Sequence, residues 1–220
     1  MMYNIISTGS KGNAVVINDS ILIDCGVPYK LLEPHIKPLK LVLLTHEHGD
    51  HFVPSTVRRL HLERPTLRFG CCHWMVEHLL KAGVDKRVID VYQPEYVVEY
   101  QAQRLLIWPE PLYHNVPNCG YHIVMGGKSL FYATDTGTLD GIKAKGYDLY
   151  MVEANHTKAD ISARAAEKQA RGEYAYEFRA AENHLSQEQT EDWLYHNMGP
   201  HSLYVFLHGH EPKEVDSNAE

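Results

Sequence analysis

The chain has 220 residues, 44% hydrophobic and 22% charged, with a net charge of −7 from 21 basic and 28 acidic side chains. That length fits one domain with a sizeable core, and the composition excludes a disordered, collagen-like or coiled-coil chain. No apolar run approaches the roughly 20 residues of a membrane span, the Met1–Ile6 start lacks a basic secretory signal, and the acidic balance argues against a long electrostatic clamp on nucleic acid.

Short β-strands are predicted at Tyr3–Ile6, Ala14–Ile17 and Ser20–Asp24, separated by the turn residues Gly9–Asn13 and Asn18–Asp19. Leu41–Leu44 is a continuous apolar run, the pattern of a strand buried on both faces. Pro54–Leu62 and His73–Lys81 read as amphipathic helices, the second stopped by Gly83. Strands follow at Tyr96–Tyr100, Arg104–Trp108, Tyr121–Met125 and Ser129–Ala133, with Gly126-Gly127 as the hairpin turn between the last two. After a strand at Leu149–Val152 comes a helix over Lys158–Ala181. Its basic and acidic residues are mixed, so it is a solvated face and not a basic arm. Ser186 and Gln189 form a capping box for a helix running to about Met198, ended by Gly199-Pro200. A last strand, Leu203–Leu207, precedes a polar tail. The expected organisation is a single domain over 1–210 and a tail over 211–220. Cys25, Cys71, Cys72 and Cys119 have no metal-finger or disulfide-framework spacing and read as reduced thiols of a cytoplasmic protein.

Fifteen histidines stand out, because imidazole is the commonest metal ligand and titrates near neutrality. Their placement is more informative than their number. Leu41–Thr45 runs into His46-Glu47-His48-Gly49-Asp50-His51, the Arg104–Tyr113 stretch into His114, Ser129–Thr134 into Asp135, and Leu203–Leu207 into His208. Loops at strand ends are where a rigid sheet presents several side chains to one point. A single one of these residues would be an ordinary core histidine or a turn aspartate. Seven nitrogen and oxygen donors at four such ends suit two borderline divalent ions, with metal-activated water as the nucleophile. His210 competes with His208 for the last place.

The Thr45–His51 segment carries the H-x-H-x-D-H motif and resembles the metallo-β-lactamase superfamily. Ser7-Thr8-Gly9-Ser10-Lys11-Gly12-Asn13, Leu22-Ile23-Asp24-Cys25-Gly26, Glu153-Ala154-Asn155-His156 and His184-Leu185-Ser186 resemble its WalJ/YycJ-type, RNase Z-like phosphodiesterase branch, from about Tyr3 to His210. The resemblance implies an α/β chain folded as an αββα sandwich of two mixed β-sheets with outer helices. It implies that His46, His48 and His114 hold one metal, that Asp50, His51 and His208 hold a second, that Asp135 bridges them, and that Asp24 orients a histidine. Zinc is the expected metal, with manganese the alternative.

Glu153 and His184 are the expected pair for protonating a leaving oxygen; His156, with Lys158 near it, is a candidate phosphate contact. The segment between Glu153 and His184 follows no pattern of that branch, and neither the large inserted domain of mRNA-processing relatives nor the long tRNA-binding arm is evident. The expected activity is therefore a two-metal phosphodiesterase, first of all a DNA exonuclease with Asp50, Glu153 and His184 as catalytic residues. Hydrolysis of cyclic or short nucleotides is the alternative, and lactams and thioesters are disfavoured by the Glu153–His184 pair. A non-enzymatic metal-binding module is the third reading, disfavoured because all seven donor positions are filled. The expected partner is a nucleic acid or nucleotide, without a membrane, and the resemblance allows a homodimer. A net −7 further predicts a short footprint and a shallow salt dependence.

Overall fold

A computed structural model describes residues 1–94, 96–173 and 182–209. Its twelve described strands form two six-stranded sheets. The first sheet runs in sequence order: β1 (Tyr3–Ser7), β2 (Ala14–Ile17), β3 (Ile21–Ile23), β4 (Leu41–Leu44), β5 (Arg68–Cys72) and β6 (Ile89–Tyr92). β1, β2 and β3 pair antiparallel, and β3 to β6 pair parallel. The second sheet has the order β12-β11-β10-β9-β8-β7, built from β7 (Val98–Tyr100), β8 (Leu105–Leu112), β9 (Asn118–Met125), β10 (Lys128–Ala133), β11 (Leu149–Glu153) and β12 (Leu203–Leu207). Here β7 to β10 are antiparallel, and β11 and β12 join in parallel. This is the expected sandwich of two mixed sheets.

Strand periodicity builds three apolar layers. Leu41 and Leu43 of β4 face the space between the sheets, with Val15, Ile17, Ile21, Ile23, Ile123, Leu130 and Met151. The alternate residues Val42 and Leu44 face α1 (Tyr29–Leu32), α2 (Pro54–Glu63) and α3 (His73–Lys81), among Leu32, Val57, Leu60, Met75 and Leu79. On the outer face of the second sheet, Phe131, Ala133, Tyr150 and Val152 pack with Leu194 of α5 (Gln187–Asn197). Ser186 and Gln189 make the capping box at its start.

Several boundaries differ from the sequence reading. The sequence pattern marks neither β5 nor β6: β5 carries Gly70 at its centre, where a Cβ would lie 2.2 Å from the Tyr92 hydroxyl. A close-packed glycine of this kind lowers strand propensity while being required by its neighbour. β8 continues through Pro109 and Pro111 to Leu112, because β7 pairs only with Leu105–Ile107 and leaves the rest of that flank free of a ladder. β9 starts at Asn118 instead of Tyr121, and β7 at Val98 instead of Tyr96. The helix after Glu153, α4, spans Lys158–Ala170 and is followed by Arg171 and by Gly172 at φ +71°. The remainder of the predicted helix, residues 174–181, lies outside the described residues, as do His210 and the tail. No described helix is long and apolar enough to cross a membrane.

Candidate metal centre

The parallel strands β3, β4, β10, β11 and β12 end on the same side of the sandwich, and the chain turns sharply as it leaves several of them. Asp24, Asp135 and His208 each follow a strand with φ of +62°, +58° and +54°. Left-handed backbone in a residue with a Cβ costs of order 1–3 kcal/mol and is tolerated best by Asp, Asn and His. Three strained exits from three strands meet at one place.

The loop His46–His51 lies over the end of β4. His46 is buried; its Nδ1 pairs at 3.0 Å with the Thr45 hydroxyl, which itself donates to Asp24. His46 Nε2 is consequently turned inward, and it has no hydrogen-bond partner. Burial holds this imidazole neutral, with its pKa lowered to about 2, so a lone pair is presented there. Asp24, fully buried, also accepts the Thr45 amide at 2.9 Å and the His51 Nδ1–H at 2.7 Å. With Nδ1–H given to Asp24, Nε2 is the His51 nitrogen that could coordinate a metal.

The second sheet brings its residues one at a time. His114 follows β8; its Nδ1–H points to the Asn183 carbonyl at 3.2 Å and its Nε2 lies 3.3 Å from His48 Nδ1. Asp135 follows β10, and its Oδ2 lies 2.8 Å from His51 Nε2. His208 follows β12, with Nε2 3.6 Å from Asp50 Oδ2 and 3.7 Å from Asp135 Oδ1. Donor atoms of His46, His48 and His114 lie within 4.8 Å of one another, as do those of Asp50, His51 and His208, while Asp135 shares one group with His46 and His51 and another with His184 and His208. All seven side chains singled out in the sequence are thus brought to one centre.

The chemistry of this set suits a divalent cation. Two donor atoms, His51 Nε2 and Asp135 Oδ2, face each other at 2.8 Å, and the buried Asp135 Oδ2 and His208 Nε2 lack hydrogen-bond partners, as His46 Nε2 does. Burial opposes charge on His51, yet the carboxylates of Asp135 and Asp24 outweigh it and drive its pKa well above 6.5. His208 follows the same pattern: burial lowers its pKa, and the nearby carboxylates of Asp50, Glu153 and Asp135 raise it to about 10. The residues fit two such ions, one among His46, His48 and His114 and one among Asp50, His51 and His208, with Asp135 between.

Beside this centre, Glu153 ends β11 fully buried. Its Oε2 accepts the Thr136 amide at 2.9 Å, and its Oε1 lies 2.5 Å from His184 Nδ1. His184 is stacked 5.1 Å from the His208 ring and retains partial exposure. His156 stays outside every donor group of the described residues, with its Nδ1 buried and unpartnered. Sequence reasoning gave no role to Thr45, Thr136 or Asn155, whose amide nitrogen lies 3.1 Å from His208 Nδ1. Each adjoins a singled-out residue, but only the tertiary fold gives it a partner.

The fold and this donor set define a metal-dependent hydrolase. The family model of the beta-lactamase superfamily domain matches residues 20–208, and the chain belongs to that superfamily. It is 26% identical to the exodeoxyribonuclease WalJ of Streptococcus pneumoniae, covering 96% of this chain and 82% of that one. Among solved structures, the short form of human tRNase Z superposes with a TM-score of 0.70 at 16% identity, over 95% of this chain and 93% of that one. Zn(2+)-bound PqqB from Methylobacterium extorquens does so with a TM-score of 0.67 at 13% identity, over 95% and 89%.

Proposed function

We propose that the protein is a two-metal phosphodiesterase, and most specifically a DNA exonuclease acting in the cytoplasm. The observation that carries this reading is the 2.5 Å contact between Glu153 and His184 beside the donor cluster. When bound, two divalent ions, zinc first among them, would neutralise the scissile phosphate and activate the attacking water. Departure of a nucleoside oxygen also requires a proton. Glu153 holds His184 through Nδ1, which orients the ring and leaves Nε2 as the nitrogen that delivers a proton to the leaving oxygen. The Thr136 amide fixes the other oxygen of Glu153, so that the carboxyl group does not swing away.

Further support comes from the likeness to WalJ and tRNase Z, and zinc is favoured by the histidine-rich donor set and by the likeness to Zn(2+)-bound PqqB. Four free, buried cysteines suit a reducing compartment. The net charge of −7 favours a short nucleic-acid footprint and keeps cyclic or short nucleotides as the second reading. The test is a substrate panel with the zinc-loaded chain: 5′-phosphorylated DNA, RNA, a cyclic nucleotide and a lactam. Release of mononucleotides from DNA is expected. Turnover of the lactam without any phosphodiester cleavage would contradict the proposal.

A further inference from the structure

The loop between β1 and β2 touches both sheets at one half of the donor cluster. Its Thr8 hydroxyl accepts the backbone N–H of His208 at 2.7 Å, at the residue whose left-handed φ of +54° turns the chain out of β12. At its other end, the Asn13 amide donates to the Asp50 carbonyl at 2.6 Å, and Asn13 Nδ2 donates to the same oxygen at 3.1 Å. Asn13 Nδ2 also lies 2.8 Å from His51 Nε2. Within the loop, Asn13 Oδ1 accepts the Gly9 amide at 2.9 Å and Nδ2 reaches the Gly9 carbonyl at 3.1 Å, so Thr8 and Asn13 are tied together as one unit.

Backbone packs directly on backbone around this unit. A Cβ on Gly12 would lie 2.3 Å from the Gly26 carbonyl, and one on Gly26 would lie 1.7 Å from the Asp50 carbonyl. None of the hydrogen bonds described for Thr8, Gly9 and Asn13 reaches His46, His48 or His114. Of the seven candidate metal-binding residues, these hydrogen bonds reach only Asp50, His51 and His208.

We infer that this loop is a clasp that completes the second cation site, with Thr8 and Asn13 as positioning residues for Asp50, His51 and His208. The inference rests on the two-ion reading above. Asp50 and His51 come from the end of β4 and His208 from the end of β12, in opposite sheets. Their convergence needs a bridge between the sheet ends, which Thr8 and Asn13 provide. Loss of the bridge weakens the second site and leaves the first intact.

The test is zinc titration of the metal-free full chain against a competing chelator, comparing wild type with Thr8→Val and Thr8→Ser. Thr8→Val keeps the volume and removes the acceptor. It is expected to bind one ion with wild-type affinity and the second about 10- to 100-fold more weakly, the usual consequence of losing an outer contact to a ligand. Thr8→Ser keeps the hydroxyl and is expected to restore wild-type binding at both sites. Retention of the first site serves as proof of folding. Thr8→Val that binds both ions with wild-type affinity, or that weakens both equally, would overturn the clasp and leave the two-ion reading standing. Wild type that binds fewer than two ions would overturn that reading and the clasp with it.

Discussion

The first sheet supplies its donors from a single six-residue loop, His46–His51, whereas the second supplies His114, Asp135 and His208 from three separate strand ends. In the first case local sequence holds the donors together, and Asp24 with Thr45 only has to aim them. In the second case nothing local does so. The positions depend on the register of β8 to β12 and on left-handed turns at Asp135 and His208. One half of the centre is therefore written as a motif and the other as topology, and the two should respond differently to mutation.

Removing a donor tests whether the halves form one machine. Asp50→Ala is expected to lower turnover of a phosphodiester by roughly 10³-fold or more, beyond the loss usual for one stabilising group, with an unchanged circular dichroism spectrum. Activity near wild type would break the account. His184→Ala is expected to lower kcat by about 10²- to 10⁴-fold with little change in KM, the signature of a lost proton donor. An equal rise in KM with kcat preserved would assign His184 to binding instead.

The supporting shell of the motif half gives the next effects. Asp24→Asn is expected to weaken metal binding about 10- to 100-fold, measured by chelator competition, because Asp24 fixes His51 Nδ1. Gly26→Ala sharpens the same point through stability: its Cβ would overlap the Asp50 carbonyl, and a loss of about 3 kcal/mol in urea denaturation is expected. A smaller effect lies at the far end of the second sheet. Asp148 accepts hydrogen bonds from Lys128 and Ser129, which lower its pKa from 3.8 to about 2. A depressed carboxyl stabilises the fold above its unfolded pKa and loses that contribution as the pH falls towards 2. Asp148→Asn is thus expected to cost under about 1 kcal/mol at neutral pH, since the pair is exposed, and the difference should vanish near pH 2.

Legibility follows the same division. The loop His46–His51 was readable because its donors are adjacent in sequence, and β4 because Leu41–Leu44 is an unbroken apolar run. His114, Asp135 and His208 were readable only because each interrupts the end of a strand pattern. β5 was hidden by Gly70, whose smallness serves the Tyr92 side chain rather than strand formation. The length of β8 was hidden by Pro109 and Pro111, which are acceptable only because β7 is short. Thr8, Thr136 and Asn155 could not be given their roles because their partners lie on other elements. Side chains that coordinate are restricted in type, whereas those that support them need only one hydrogen-bonding group in the right place.

The most direct measurement of the central claim is anomalous X-ray scattering at the zinc edge from crystals of the zinc-loaded chain. The account predicts two peaks, one among His46, His48 and His114 and one among Asp50, His51 and His208, with Asp135 touching both. The absence of a peak at either place, or a peak elsewhere on the molecule in its stead, would contradict it.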